Sequence, residues 1–353
     1  MTTSSPKLIA TAAELSDLVS AYWPSRAVLT AMELNLFAAL AEGPLTASEL
    51  AARLGTDPRG TDLLANAIAA LGLLDKSEGR FALTDWVAEH LVRGGGDYLG
   101  GLIEHHFRLW RGWSRLTDVV RAGQPVQALG PPAPAPEFAD RDTRSFIWGM
   151  HTMGSYRAKQ LADALHLGPS SLGPQASRLP PLQRIADIGG GPGDNAYELL
   201  KRLPEATAVI FDLPDVVPIA LEIAAAEGVA DRVEGKPGDF MVDDFPPQTD
   251  LVLMSQIMHS NTVQTCQMLC RKAFASLDPG GRCVIHEFVL NDDAASPAGP
   301  ALFSLNMLLG TPGRSYTDSE LRSWLTAAGF TDIESRPVDP DVTALVTGRK
   351  AGW

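Results

Sequence analysis

Asp187-Ile188-Gly189-Gly190-Gly191-Pro192-Gly193 follows the short run Arg184-Ile185-Ala186 and precedes a stretch with helical spacing that starts near Asn195. A β-branched run, a turn with glycines at alternate positions and then a helix open a parallel α/β sheet. The glycines let backbone pass close to a ligand, and the helix N-terminus turns its free N–H groups and positive dipole end toward the crevice above the strand. The spacing departs from the three-glycine dinucleotide fingerprint, and Pro192 occupies the turn where a pyrophosphate would need room. A nicotinamide oxidoreductase is therefore disfavoured.

Downstream the same texture repeats. TAVIFDL (207–213), RVEGKPG (232–238), DLVLMSQIM (250–258), RCVIHEFVL (282–290), DIESRPV (332–338) and TALVTGR (343–349) read as six further strands, with helical spacing between most of them. No helix fits between the last two, which predicts an antiparallel hairpin at the sheet edge. Acids recur at successive strand ends. Asp212, in Phe211-Asp212-Leu213-Pro214, lies about 20 residues beyond the glycines, where it can accept from two ribose hydroxyls. Asp239, in Gly238-Asp239-Phe240, can accept from an adenine amino group while Phe240 packs on the ring. Asp187 can answer an ammonium group. Three such features in order predict a nucleoside site.

Upstream the chain reads as helical. Apolar residues recur at three- and four-residue spacing from Ala12 to Leu40. Residues 43–91 form a compact unit. LTASELAARLG offers Thr46 and Glu49 as a capping box and Gly55 as a stop, RGTDLLANAIAALGLL gives a second helix, and a two-stranded wing turns at Glu78-Gly79. This is a winged-helix pattern. Its second helix carries one arginine, an aspartate and many apolar residues, the reverse of what base readout needs, so a DNA-binding regulator is the weaker reading. The proline-rich runs 130–137 and 168–181 read as loops around a helix over about 143–165. These features place a helical domain at 1–166 and an α/β domain at 167–353.

The 353 residues carry 42 acidic against 29 basic groups, a net charge of -13 that repels polyanions and disfavours nucleic acid as a partner. No run approaches the length of a membrane span, and no secretion signal opens the chain. Cys266, Cys270 and Cys283 have no partners that complete a metal set and read as core thiols, which fits a cytoplasmic protein.

The order DIGGGPG, FDLP, GDF, a histidine after the fourth strand and DPGGR before the fifth resembles the plant-type and bacterial small-molecule O-methyltransferases, the acetylserotonin, caffeate and antibiotic group. The likeness covers nearly the whole chain. It implies a Rossmann-like seven-stranded domain that binds S-adenosylmethionine, behind a mostly helical, winged-helix-like domain through which two copies form a homodimer. The family's cofactor contacts map to Gly189, Gly191, Asp212, Asp239, Phe240 and Ser255, with Asp187, Gly193 and Leu213 beside them in the same motifs. Its general base falls on His259 and the flanking glutamate on Glu287. His286, on the opposite strand face, reads as packing. Acceptor contacts are expected from Phe146, Met150, His151 and Met153 and from Phe303, Asn306 and Met307, around a small aromatic acceptor. Two departures stand out. The histidine–aspartate–tryptophan run is His259-Ser260-Asn261 here, and Ser315 stands where a second flanking glutamate is expected. One carboxylate partner instead of two implies a weaker base, and leaves carbon methylation of an activated ring or a cofactor-binding pseudoenzyme as alternatives.

Overall fold

The computed structural model describes residues 9–94, 98–129, 143–165, 182–339 and 342–352, so the loops expected at 130–137 and 168–181 lie outside it. Two compact units emerge. One gathers the described residues of 7–111 and 133–152, the other those of 112–132 and 153–353.

The first unit is helical. Helix α1 (Ala12–Ser20), opened by a Thr11–Glu14 capping box, buries none of its residues. Helix α2 (Tyr22–Glu33) is followed by Asn35 in the left-handed region and by α3 (Leu36–Ala39). Strand β1 (Leu45–Thr46) leads into α4 (Ala47–Leu54), which has the expected Thr46–Glu49 box and a left-handed Gly55 at its end. Asp57 caps α5 (Pro58–Ala70), and β2 (Leu74–Ser77) and β3 (Arg80–Leu83) form the wing. The wing gains a third strand, because β1 pairs with β3 through Leu45 and Phe81. Two residues bounded by a helix cap carry too little alternation to be read from sequence. Helix α6 (Asp85–His90) and most of α7 (Gly100–Trp113) follow. Leu36, Phe37, Leu50, Ile68 and Phe81 are buried in one core beneath these elements.

The second unit begins with α8 (Leu116–Ala122) and takes the later half of α9 (Thr143–Ala164). Its strands are β4 (Arg184–Ile188), β5 (Thr207–Asp212), β6 (Val233–Pro237), β7 (Thr249–Ser255), β8 (Leu277–Glu287), β11 (Thr331–Asp339) and β12 (Thr343–Arg349). Helices α10 (Asp194–Arg202), α11 (Val217–Ala226), α12 (Val263–Ser276), α13 (Ala298–Leu308) and α14 (Asp318–Ala328) connect them, with β9 (Val289–Leu290) and β10 (Tyr316–Thr317) forming a small parallel pair. The large sheet runs β11-β12-β8-β7-β4-β5-β6. Strands β6, β5, β4, β7 and β8 pair in parallel, and β12 lies antiparallel between β8 and β11, the expected edge hairpin. Sequence order reverses on either side of β4, so a crevice opens beyond the carboxyl ends of β4 and β7. Every sequence-predicted functional residue of this unit except Met153, Phe303, Asn306 and Met307 sits at the carboxyl end of β4, β5, β6, β7 or β8 or in the loop that follows. No helix among the described residues is long and apolar enough to cross a membrane.

Candidate active site

Strand β4 delivers the glycine turn. Gly189 N–H donates to Phe211 O at 2.7 Å, tying the turn to the end of β5. Gly189 and Gly191 have φ of +61° and +54°, which side-chain-bearing residues rarely adopt. A Cβ on Gly191 meets nothing within 4 Å, so the glycine leaves open space above the turn. A Cβ on Gly189 would lie 2.5 Å from Ile257 Cδ1 and 3.7 Å from the Phe240 ring, which places those two side chains against the turn. Gly193 differs: it faces the Tyr197 ring and opens α10.

Three carboxyl groups, Asp187, Asp194 and Asp212, surround this turn. Asp212 accepts Gly191 N–H on Oδ2 and Leu213 N–H on Oδ1, both at 2.7 Å, leaving a second acceptor position on each oxygen. Burial raises its pKa and these two donors oppose the rise. Leu213 itself is half exposed. Asp187 is 1% exposed, and neither of its oxygens has a hydrogen-bond partner among the described residues, while the nearby Ala196 N–H favours its charged form. Burial, with Asp212 and Asp194 nearby, pushes this carboxyl up to about 7. Asp239 Oδ1 accepts Met241 N–H at 2.8 Å, and Lys272 Nζ donates to the carbonyls of Phe240 and Asp243, which fixes the loop after β6.

The other half of the site lies at the ends of β7 and β8. Ser255 Oγ is 2.9 Å from His286 Nδ1, and burial pushes that imidazole down to about 4, so it is neutral. Gln256 then turns the chain with φ of +60° and donates its N–H to His286 O. His259 follows on a one-turn 3-10 helix, Met258–Ser260, rather than on the strand itself. Its Nδ1 lies 2.7 Å from Glu287 Oε2. The carboxylate accepts, so the hydrogen is on Nδ1 and the lone pair is on Nε2, which has no protein partner among the described residues. Glu287 is 2% exposed and also accepts Met258 N–H at 2.7 Å, His259 N–H at 3.3 Å and Phe288 N–H at 3.3 Å. Four donors thus converge on one buried carboxylate.

Aromatic rings frame this pair. Phe303 of α13 meets the His259 ring edge-on at 4.9 Å and stacks on Phe288 at 3.8 Å. Gly313 backs the turn, where a Cβ would lie 2.1 Å from His259 O. Tyr316 OH donates to Asn261 O, while Ser260 Oγ and Asn261 Nδ2 both donate to Ile257 O. The substituted run therefore tightens the turn. Ser315 is fully buried and its Oγ has no partner among the described residues. Met307 is buried, Met153 is half-buried, and Asn306 accepts from Trp113 Nε1. Phe146, Met150 and His151 belong to the helical unit, where Phe146 is exposed and His151 meets the Trp148 ring edge-on. Ile257, Phe288, Gly313 and Trp113 carry no motif and were missed in the sequence; only the glycine after Thr311-Pro312 gives a local signal, a turn.

This donor set fits an adenosyl sulfonium. A buried carboxyl with two unpartnered oxygens suits an ammonium group, a second carboxylate has acceptor capacity for hydroxyls, and an open glycine turn admits the ligand between them. Matches to known proteins agree. Residues 113–331 match the O-methyltransferase domain and residues 16–93 the O-methyltransferase dimerisation domain. The 3-hydroxy-5-methyl-1-naphthoate 3-O-methyltransferase of Streptomyces sahachiroi is 34% identical over 96% of this chain and 95% of its own length. The tetracenomycin polyketide synthesis 8-O-methyl transferase of Streptomyces glaucescens is 32% identical over 96% of each. Human N-acetylserotonin methyltransferase, solved with S-adenosylmethionine, has the same fold, with a TM-score of 0.78, 24% identity and coverage of 98% and 99%. With both domain matches and full-length relatives above 30% identity, the chain belongs to the S-adenosylmethionine-dependent O-methyltransferase family.

Proposed function

We propose that His259 is the general base that deprotonates a hydroxyl on a small, flat aromatic acceptor of the polyketide-like class during methyl transfer. The observation that carries this reading is the 2.7 Å contact between His259 Nδ1 and a buried Glu287, with Nε2 left free. When bound, S-adenosylmethionine supplies the methyl group as a sulfonium electrophile. Asp187 would hold the ammonium end, Asp212 the ribose hydroxyls, and Asp239 with Phe240 the adenine, while Gly189, Gly191, Leu213 and Ser255 line the same cradle.

The acceptor hydroxyl gives its proton to His259 Nε2. The imidazolium that forms is stabilised through Nδ1–H by Glu287, whose three backbone donors keep it from turning away. The stacked Phe288 and Phe303 rings offer an apolar wall against which a flat acceptor aligns, and alignment in a dry pocket supplies much of the acceleration in a displacement of this kind. The activities of the two Streptomyces relatives, on a hydroxynaphthoate and in tetracenomycin polyketide synthesis, support the acceptor class.

The N-terminal helices support a homodimer. Leu15, Leu18, Val19, Tyr22 and Trp23 on α1 and α2 are all more than half exposed, an apolar face that a monomer rarely leaves in water.

The test is methyl transfer from labelled S-adenosylmethionine to a panel of naphthols and phenols, with His259→Ala beside the wild type. General-base loss lowers kcat by about 10²–10⁴. Transfer at an unchanged rate removes His259 from the role and leaves alignment of acceptor, methyl and sulfur as the mechanism.

A further inference from the structure

Trp113, the last residue of α7, donates its indole N–H to Asn306 Oδ1 at 3.0 Å. The two positions are 193 residues apart in sequence. The segment is anchored beside the end of α13, since Val126 N–H donates to Leu309 O at 2.9 Å and a Cβ on Gly112 would lie 3.2 Å from Leu309 Cδ1. An indole N–H can only donate, so the amide atom that faces it is the oxygen and the flip of Asn306 is fixed. The other end of the amide, Nδ2, has no partner among the described residues and keeps two donors.

Asn306 lies three residues beyond Phe303 on α13, and residues at that spacing share a helix face. Phe303 is the ring that meets His259 at 4.9 Å. The unpaired amide is therefore about one helical turn from the ring that meets the proposed base. Met307, the next residue, is buried, so Asn306 is the polar group that this turn of α13 can offer to a bound acceptor.

We infer that Trp113 determines acceptor specificity: by holding the Asn306 oxygen it makes Asn306 a pure donor, so the favoured acceptor carries a carbonyl or carboxylate oxygen on the ring that bears the reacting hydroxyl or on a ring fused to it. This rests on the reading of His259 as the base beside the acceptor. A hydroxyl-only ring leaves the Asn306 donors unpaired, and unpaired donors at a partly desolvated site cost more than the bond itself returns. Asn306→Asp keeps the shape and the bond from Trp113 but replaces the free donor by an acceptor. Trp113→Phe keeps the ring and releases the amide.

The experiment is calorimetric titration of the protein saturated with S-adenosylhomocysteine, using 3-hydroxy-1-naphthoate and 2-naphthol, which differ by the carboxylate alone. The wild type should bind the carboxylate compound about tenfold more tightly. In Asn306→Asp the preference should vanish or invert, and in Trp113→Phe it should fall to about threefold while affinity for 2-naphthol changes little. Equal affinities in the wild type overturn the inference, as does a preference that both variants leave intact. A merely structural role for Trp113 would weaken both ligands alike and leave their ratio unchanged, which also overturns it. If Asn306→Asp fails to fold, the ratio in Trp113→Phe decides. Binding is read without turnover, so an inactive protein that keeps the preference removes the methyl-transfer reading and retains this one. An active protein without the preference does the reverse.

Discussion

Replacing Glu287 by Gln is the perturbation that most sharply tests the site. Oε1 of Glu287 accepts two backbone N–H groups, from Met258 and His259, and Oε2 accepts His259 Nδ1–H and Phe288 N–H. Glutamine has one oxygen for these two pairs. If its NH2 takes the Oε1 place, it faces two buried donors, one of them at 2.7 Å, and each unpaired donor costs about 1–3 kcal/mol. If the NH2 takes the Oε2 place, one N–H, that of Phe288 at 3.3 Å, loses its partner. The second orientation wins. It sets a donor against His259 Nδ1, which must then accept, and the ring proton moves to Nε2. His259 Nε2 has lost its lone pair while every heavy atom stays close to its place.

We expect kcat to fall by about 10²–10⁴ with KM changed less than threefold, because Glu287 is buried beneath His259 and does not itself reach the acceptor. The loss of one buried hydrogen bond should lower Tm by only a few degrees. Steady-state transfer from labelled donor at saturating acceptor, with a thermal melt of the same preparation, measures both. A folded Glu287→Gln protein that keeps kcat within threefold of wild type refutes the tautomer argument.

Three further outcomes follow from the geometry. Burial, reinforced by Asp212 and Asp194, raises the Asp187 carboxyl to about 7 from 3.8, so the folded state holds a proton that the unfolded chain releases earlier; this costs stability progressively between about pH 4 and pH 7, by at most about 4 kcal/mol. Asp187→Asn should therefore flatten the fall in Tm of the cofactor-free protein across that window, and parallel melting curves for the two proteins would argue against it. Gly313→Ala puts a Cβ 2.1 Å from His259 O and 2.7 Å from Asn261 N, so it should displace the His259 turn, cost about 1–3 kcal/mol and lower kcat at least tenfold; wild-type kinetics would show that the turn gives way freely. Leu18→Glu combined with Trp23→Glu places two charges on the exposed face of α1 and α2, and sedimentation should then report half the wild-type mass, whereas an unchanged mass moves the interface elsewhere.

Much of the site could be read before any coordinates because its parts are local. The glycine turn, Asp212 and Asp239 each follow a β-branched run, and a strand end is a short-range feature of the chain. The alternation of strand side chains separated Glu287 from His286, and the structure has His286 bonded to Ser255 rather than to His259. The capping box of α4 and the left-handed glycine that ends this helix have the same local character. Local rules could not supply β1 as a third wing strand, the left-handed Gln256, or the 3-10 turn that carries His259 away from its strand.

The sequence by itself determined the layer architecture and the order in which successive strands deliver the glycine turn, Asp212, Asp239 and Glu287, since periodicity and turn chemistry act over a few residues. The tertiary structure alone decided that Glu287 collects four donors, that Phe288 stacks on Phe303 beside His259, and that Trp113 fixes the amide of Asn306. Those contacts join residues from 15 to 193 positions apart. They exist because the sheet brings β7 beside β8 and because the 112–129 segment is anchored at the end of α13, neither of which has a signature in any short stretch of chain.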